Sequence, residues 1–425
     1  MRTESISLGF ALFQLTFLML GFALFIDSIN GFFLAGMGID PRLSAVYKFL
    51  FFIIVLYQVG CYSRRSMAGI LLLLVTFMVG PTVTLVKTLD AAGYFTDLTM
   101  ALKVLAPLNV FAFCVLSCQQ NADLVLKYGK AAIWLSFFVL LGNLILGALG
   151  VGFASYGTGE IGIKGFFFAS NELSGVFVTL FGVFLHHAWQ KGKSFYALAS
   201  LIAFVFGFMI ATKAAMLSAA VLSFAIPIFN ERNRIFHLSR LKLGMMLPII
   251  IVISVLAVTI VQILEATGLW SRFVWLYDKK GALGLILSGR DKYVINAVDA
   301  VDHYSSLLTA VFGYGRSGLE VITQGTVEVD PIDMYFWFGI PGLAFFLFIS
   351  TLFIRVSYLS TRLKQGYWGP TVLLTNITLI GISMIAGHTL TSGMLGPLLG
   401  LINGLAFADW KLAQRNHQAT QVTVA

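Results

Sequence analysis

The stretch QGYWGPTVLLTNITLIGISMIAGHTLTSGMLGPLLGLINGLAFA, residues 365–408, runs for 44 residues without Asp, Glu, Lys or Arg. A transmembrane helix needs about 20 predominantly apolar residues to cross a hydrocarbon core of about 30 Å. The stretch is therefore too long to be a single span. We predict a helical hairpin that crosses a membrane twice and turns near residues 387–393.

The composition of the whole chain agrees with this prediction. Hydrophobic residues make up 58% of the 425 residues and charged residues only 11%, whereas soluble domains carry about 25% charged residues. A water-facing surface cannot be built from so few charges, so most of the surface must face lipid. We predict an all-α fold, a polytopic transmembrane helical bundle that forms one integral membrane domain over residues 1–425.

The other spans are read from apolar runs that are free, or nearly free, of charged residues. Together with the two helices of the hairpin, ten such runs give a predicted total of about twelve spans. The runs are residues 5–26, 44–61, 66–86, 104–118, 131–151, 173–190, 194–211, 214–229, 243–264 and 333–354.

The distribution of basic residues predicts the orientation of the bundle. With both termini in the cytoplasm, 16 of the 28 Lys and Arg residues but only four of the 19 Asp and Glu residues lie on the cytoplasmic side. This is the bias of the positive-inside rule. It accounts for the net charge of +9 without a nucleic-acid partner, since the basic residues stand in short clusters between apolar runs. The polar tail 410–425 is predicted to be cytoplasmic.

The longest segment on the predicted external side is residues 265–332, which hold nearly a third of the charged residues of the chain. Apolar residues recur at roughly helical spacing between residues 294 and 310. We predict a large extracytoplasmic loop whose helices lie against the mouth of the bundle. The residues that can carry chemistry are concentrated in and around this loop.

Three cations on the predicted external side are candidate phosphate ligands. Arg290 lies in LSGRDKY, Arg316 in FGYGRSG and Lys213 in ATKAAMLS. The planar guanidinium of Arg matches a phosphate with two parallel hydrogen bonds. The alternative for Arg290 is a solvated helix start capped by Ser288, and the alternative for Lys213 is an anchor at the membrane interface.

Three carboxylates stand close together in TVEVDPIDM, residues 326–334, just before a predicted span. Asp330 and Asp333 also fit the start of a helix, but this explanation does not cover Glu328. A carboxylate at the membrane surface opposite the three cations can act as a general base. Glu328 is therefore the predicted base.

Further residues are predicted to line the same cavity, and Asn171 and Glu172 also fit a helix cap. The cavity set comprises Asn171, Glu172, Tyr314, Asp333 and His388. The glycines at 313, 315 and 318 are expected to let the backbone approach a ligand closely. We expect neither a metal nor a cofactor, because the sequence of the external loop contains no evident metal-ligand cluster.

Five short motifs occur in an order that resembles the O-antigen ligase and polysaccharide polymerase superfamily of bacterial inner membranes. They are FASNELSG at 168–175, Thr-Lys at 212–213, Ser-Gly-Arg at 288–290, Gly-Tyr-Gly at 313–315 and Gly-Ile-Pro-Gly at 339–342. The resemblance covers roughly residues 160–345.

The departures from the ligase pattern are specific. Glu328 and Val329 stand where ligases carry a His followed by Asn, Ser or Gln, nine residues before the Gly-x-x-Gly motif. Lys213 stands where an Arg is common. Glu-x-Asp before the span together with this Lys is more similar to polysaccharide polymerases than to ligases.

The resemblance implies glycosyl transfer between two undecaprenyl-diphosphate-linked saccharides at the outer face of the inner membrane. Lys213, Arg290 and Arg316 would bind the departing pyrophosphate, Glu328 would act as base and Asp330 would orient the acceptor. The implied partners are the lipid-linked donor and acceptor, the membrane, a chain-length regulator and a flippase.

Three alternatives remain open from the sequence. A ligase would transfer finished polymer to lipid A core or to another acceptor. A flippase or transporter of lipid-linked saccharides is the alternative of a different class, although transporters tend to carry internal repeats and charged or broken helices near the midplane. The third is a structural partner of a synthase complex, without activity of its own.

Overall fold

The computed structural model describes residues 2–156, 161–235, 290–302, 306–323, 326–363 and 366–424, together with single positions between 237 and 278. The span predicted at 243–264 and the residues around Ser288 lie outside these ranges, single positions aside. Within them the fold is all-α, as predicted, except for one antiparallel β-hairpin that the sequence did not predict.

The elements follow one another as helices joined mostly by short turns. They are α1 (Arg2–Met37), α2 (Leu43–Tyr62), α3 (Arg64–Thr88), α4 (Ala91–Ala148), β1 (Phe153–Tyr156), β2 (Ile161–Gly165), α5 (Ser170–Lys191), α6 (Lys193–Ile210), α7 (Lys213–Phe229), α8 (Arg290–Asp302), α9 (Leu307–Phe312), α10 (Gly315–Thr323), α11 (Asp330–Thr361), α12 (Gly369–Ile385) and α13 (Leu395–Val424). The predicted hairpin at 365–408 is thus two helices, α12 and α13, that are joined by a turn at 386–394.

Six helices of the described ranges are long and apolar enough to cross a membrane: α1 from Gly9, α2, α3, α4, α6 and α11. The shorter α7 and α12 are apolar as well. The bundle therefore has the predicted transmembrane character, since exposed Phe, Leu and Val side chains cover much of its outer surface. The total of twelve spans and the orientation stay predictions.

Helix α4 is two helices joined at a sharp break. Its 58 residues would measure about 87 Å in one straight helix, nearly three times the hydrocarbon core. Asn121 has non-helical φ −153° and ψ 95°, and its side chain accepts a hydrogen bond from Leu124 N (3.1 Å). Both halves pack on the same part of α13. Pro107 of the first half lies against Gly400 of α13, and Gly129 of the second half lies against Leu405 of α13.

The β-hairpin marks one end of the bundle, which we call the hairpin end. Asn143 of α4 donates a hydrogen bond to Lys164 O of the hairpin (3.1 Å), and Gly162 lies against Ala211, which joins α6 to α7. The starts of α5 and α7 meet there through the hydroxyls of Ser174 and Thr212 (2.7 Å).

Helices α8, α9 and α10 belong to the predicted external loop and pack at this same end. Helix α9 packs on α3 and α11, and α10 packs on α3, α4, α8 and α11. Thr84 Oγ1 of α3 donates to Tyr314 O (2.6 Å), and the rings of Phe77 and Phe338 stack at 4.6 Å. The three helices of this segment are therefore seated on the bundle, while the large extracytoplasmic loop as such stays a prediction.

The glycines at 313, 315 and 318 contact protein where the sequence suggested a ligand. A Cβ atom on Gly313 would lie 2.5 Å from the Trp337 carbonyl carbon, and one on Gly315 would meet the Asp97 carboxylate. Gly318 lies against Thr84. The sequence interpretation of these glycines needs correction, because the backbone approaches α3, α4 and α11.

We predict that Gly339→Ala destabilises the protein. Gly339 breaks α11 with φ 65° and ψ −150°, a conformation that non-glycine residues adopt at a cost of about 1–3 kcal/mol, and its Cβ would meet Val311 O. The midpoint of thermal unfolding in detergent should fall. Gly381→Ala is the control, since a Cβ there meets nothing within 4 Å; equal midpoints for the two variants would contradict the prediction.

Candidate functional site

The loop between α12 and α13, residues 386–394, is the centre of the site, and we call it the 386–394 loop. Asp330, fully buried at the start of α11, accepts hydrogen bonds from the backbone N–H groups of His388 (2.6 Å), Thr389 (2.8 Å) and Leu390 (3.1 Å). The hydroxyl of Ser383 also donates to it (2.7 Å). This carboxylate fixes the loop, and the geometry favours a positioning role for Asp330 over direct contact with an acceptor.

A second carboxylate holds the other side of the loop. Glu172 Oε2 accepts hydrogen bonds from Ser392 Oγ (2.7 Å) and Met394 N (3.3 Å). Glu172 is the third residue of α5, so it joins α5 to the turn before α13. Its neighbour Asn171 is exposed. The loop is therefore clamped between Asp330 and Glu172, which come from helices far apart in the sequence.

Glu328 brings a carboxylate together with a guanidinium and an imidazole. Its carboxylate accepts a hydrogen bond from Nη2 of the buried Arg290 (2.8 Å), and its Oε1 lies 3.9 Å from Nε2 of His388. The Glu328 side chain is still 35% exposed, so a substrate can reach it. The structure thus brings together three predicted residues, from α8, from the segment before α11 and from the 386–394 loop.

Backbone strain coincides with this contact. Glu328 and His388 both have φ 61°, in the left-handed region that non-glycine residues rarely occupy. Gly387 lies so close to Glu328 that an added Cβ would be 2.5 Å from Glu328 O. Strain of about 1–3 kcal/mol per residue persists only where the surroundings enforce it, and such residues cluster at active sites.

The side chains of Glu328 and His388 shift each other's pKa. The nearby His388 ring and then Arg290 hold the pKa of Glu328 below its ordinary value, against the effect of burial. Burial by itself would lower the pKa of His388, but the carboxylates of Glu328, Asp330 and Glu172 outweigh it and raise that pKa. Both shifts favour a charged Glu328–His388 pair.

Asp333 supports the segment that carries Glu328. Its buried carboxylate accepts a hydrogen bond from Val327 N (3.0 Å), and its backbone N–H donates to Val329 O (2.8 Å). Tyr314 is also buried, and its backbone N–H donates to Phe336 O (2.8 Å). Both residues, predicted to line a cavity, hold the neighbouring segments in place.

The other two predicted cations lie at the hairpin end with separate surroundings. Arg316 Nε donates to Glu320 Oε1 (2.8 Å) within α10. The backbone N–H of Ser317, the next residue, donates to Asp97 of α4 (2.8 Å). Lys213 is the first residue of α7 and follows the N-cap Thr212. Convergence of Lys213 with Arg290 and Arg316 stays a prediction.

Sequence reasoning missed a group of charged residues inside apolar helices at the hairpin end. Lys48 of α2 pairs with Asp27 of α1 (2.6 Å), and the side chains of Lys48 and Lys103 meet beside Gly393 of the 386–394 loop. The available signal was one Asp and two Lys in runs otherwise poor in charge.

No protein-family model matches the chain, and no curated protein matches it. The resemblance to the ligase and polymerase superfamily therefore stays a prediction. Across the ranges that the structure describes, no three His, Cys, Asp or Glu side chains gather as a metal site.

We predict that Asp330→Asn releases the 386–394 loop. The Asn side chain has one acceptor oxygen, and its NH₂ group faces N–H donors that the carboxylate now accepts; each buried donor left without a partner costs about 1–3 kcal/mol. Faster hydrogen exchange at residues 388–390 and a lower unfolding midpoint should result. Asp299→Asn, on the exposed face of α8, is the control. Unchanged exchange in the Asp330 variant would contradict the anchoring role.

The Glu328–His388 pair predicts a pH dependence of stability. The lowered pKa of Glu328 gives stability that is present above about pH 4.5 and is lost as the pH falls through its folded value. The raised pKa of His388 gives stability that is complete below about pH 6.5 and is lost as the pH rises through its folded value. The free energies of unfolding of wild type and His388→Gln should therefore differ most between these limits, by roughly 0.5–1 kcal/mol. A stability difference between wild type and His388→Gln that does not change with pH would contradict a charged Glu328–His388 pair.

Proposed function

We propose that the chain is a membrane glycosyltransferase that polymerises undecaprenyl-diphosphate-linked oligosaccharide repeat units at the outer face of a bacterial inner membrane. The observation that carries the proposal is the partly exposed Glu328 carboxylate, held by Arg290 and facing His388 at one end of a transmembrane bundle. The motif order from residue 168 to residue 342 supplies the substrate class.

The reaction requires a base for the attacking sugar hydroxyl. Glu328 has a lowered pKa, so it is ionised at neutral pH and can accept the proton as the new bond forms. The new bond joins the acceptor oxygen to the anomeric carbon of the donor sugar. The bond from that carbon to the diphosphate breaks, and the diphosphate leaves with the electron pair.

His388 and Arg290 serve this base in different ways. Arg290 orients the carboxylate through its hydrogen bond of 2.8 Å. His388 stays protonated further into the neutral range, since its pKa is raised, and its positive charge stabilises ionised Glu328. Asp330 binds the backbone of His388, which makes it a positioning residue in the proposal.

The departing diphosphate requires cations. Negative charge develops on the leaving oxygen, and positive groups already in place lower the energy of that transition state. Arg316 and Lys213 are assigned to this task with Arg290, as the motif resemblance implies. Arg290 then has two tasks, because its Nη2 already holds Glu328.

A ligase would use the same base and the same leaving group with a different acceptor. The two activities are separated by the material that accumulates when the gene is deleted. Single lipid-linked repeat units accumulate without a polymerase, and unattached polymer accumulates without a ligase. A flippase would give no polymer from lipid-linked repeat units in detergent solution.

We predict that Glu328→Gln abolishes polymerisation and leaves the protein folded. Gln has the same length and the same backbone preferences at φ 61° but cannot take up the hydroxyl proton, and loss of a general base typically lowers rates about 100- to 10,000-fold. The assay is polymer formation by purified protein from a defined lipid-linked repeat unit.

Asp299→Asn, on the exposed face of α8, should polymerise at the rate of wild type. Unfolding midpoints of all variants are measured alongside, so that loss of activity can be separated from loss of structure. Normal polymer from folded Glu328→Gln protein would remove Glu328 from the role of base.

A further inference from the structure

A cavity lined by charged residues opens at the hairpin end beside the 386–394 loop. Its volume is about 280 Å³. Helices α1, α2, α4 and α5 and residues 393–397 form its walls. The lining combines three cations, Arg42, Lys48 and Lys103, and the carboxylates of Asp27, Asp40 and Glu172 with aromatic rings such as Phe49 and Phe168.

Two lysines from different helices converge in this cavity. A Cβ on Gly393 would lie 3.1 Å from Lys103 Cε and 3.5 Å from Lys48 Nζ. Both side chains therefore occupy the space above one glycine, where a larger residue would push them away. Two ammonium groups on side chains that approach the same point repel each other unless negative charge stands beside them.

Only one of the two lysines has a counter-ion in contact. Lys48 Nζ lies 2.6 Å from Asp27 Oδ1. Lys103 forms no hydrogen bond or ion pair with any residue that the structure describes, and the charges of Glu172 and Arg316 act on it from a greater distance. Glu172 is committed to Ser392 and Met394. The three N–H donors of Lys103 can therefore bind an anion that enters the cavity.

The apolar part of the cavity indicates what carries that acceptor. Phe49 is 46% exposed and Phe168 is 66% exposed, and both line the cavity. A cation beside exposed aromatic rings at the end of a transmembrane bundle suits a molecule with an anionic head and an apolar chain. A free anion would gain nothing from the aromatic wall.

We propose that this cavity binds the phosphate-bearing headgroup of a lipid, with Lys103 and Lys48 as the ligands of the phosphate. In the proposed polymerisation, on which this second step rests, the headgroup is the lipid diphosphate that leaves the donor sugar. The 386–394 loop joins the two places, because His388 faces Glu328 and Gly393 contacts both lysines. Five residues of chain reach at most about 18 Å.

This assignment adds the lysines of α2 and α4 to the cations that the motif resemblance implies for the leaving diphosphate. The base lies beside Arg290 and His388. One loop fixes the relative position of both sites, since Asp330 and Glu172 hold it at its two ends. A sugar bridging the two sites would have its anomeric carbon between leaving group and base.

The binding is tested with purified full-length protein in detergent and three probes: farnesyl diphosphate, farnesol and inorganic pyrophosphate. Farnesyl diphosphate should raise the unfolding midpoint of wild type in a concentration-dependent way. Lys103→Met should weaken its binding about 10- to 100-fold, as expected for loss of a charged hydrogen bond. Lys87→Met is the matched control, because Lys87 is an exposed cation in the last turn of α3 and should bind like wild type.

Three results would overturn the proposal. One is equal affinity of wild type and Lys103→Met for farnesyl diphosphate. Another is equal stabilisation by farnesol, which would make the site purely apolar. The last is pyrophosphate binding as tight as that of farnesyl diphosphate, which would show that the lipid chain contributes nothing to binding. If Lys103→Met does not fold, the double variant Asp27→Asn with Lys48→Met takes its place, since it removes an ion pair without leaving one charge unpaired.

The outcome can be separated from that of the proposed function. Glu328→Gln should bind farnesyl diphosphate with the affinity of wild type, because Glu328 is absent from the cavity lining. Failure of wild type to polymerise, with selective binding intact, would refute the transferase and retain the lipid-phosphate site. If Lys103→Met still polymerises and binds farnesyl diphosphate with the affinity of wild type, the lipid-phosphate site would be refuted and the transferase retained.

Discussion

The buried carboxylate of Asp330 is the interaction on which the site depends. It gathers three consecutive backbone N–H groups and a serine hydroxyl onto the first residue of α11. Buried donors must find an acceptor, and a carboxylate that accepts several of them is stabilised as an anion. The turn between α12 and α13 is thereby fixed against α11, and His388 is fixed against Glu328.

The lipid environment explains why the site lies at one end of the bundle. Backbone groups inside a bilayer must be satisfied within helices, so turns and strained segments belong near the membrane surface or in protein-lined cavities. The β-hairpin satisfies this requirement by packing on α4 and on the junction of α6 and α7, the break at Gly339 by packing on α9, and the 386–394 loop by packing on Glu328.

Carboxylates that are alike in the sequence differ in the structure through their surroundings. Asp330, Asp333 and Asp97 are buried and committed to backbone N–H donors, whereas Glu328 remains 35% exposed beside a guanidinium and an imidazole. A committed carboxylate holds a fold, and an accessible one can exchange a proton with a substrate. This difference separates the positioning residues from the proposed base.

The sequence by itself determined the all-α transmembrane character, the turn in 365–408 and the segment that carries Glu328, because hydrophobic runs and charge density are local properties that lipid selects directly. It also named Arg290, Glu328 and His388. Only the tertiary structure decided that these three residues meet, that the Asp330 carboxylate binds the backbone of the 386–394 loop, and that the glycines at 313–318 contact helices. The tertiary structure also decided that Lys48 and Lys103 lie in one cavity. Contacts between residues 38 to 60 positions apart, such as Arg290–Glu328 and Glu328–His388, depend on how helices pack, and helix packing leaves no periodic signal in a single chain.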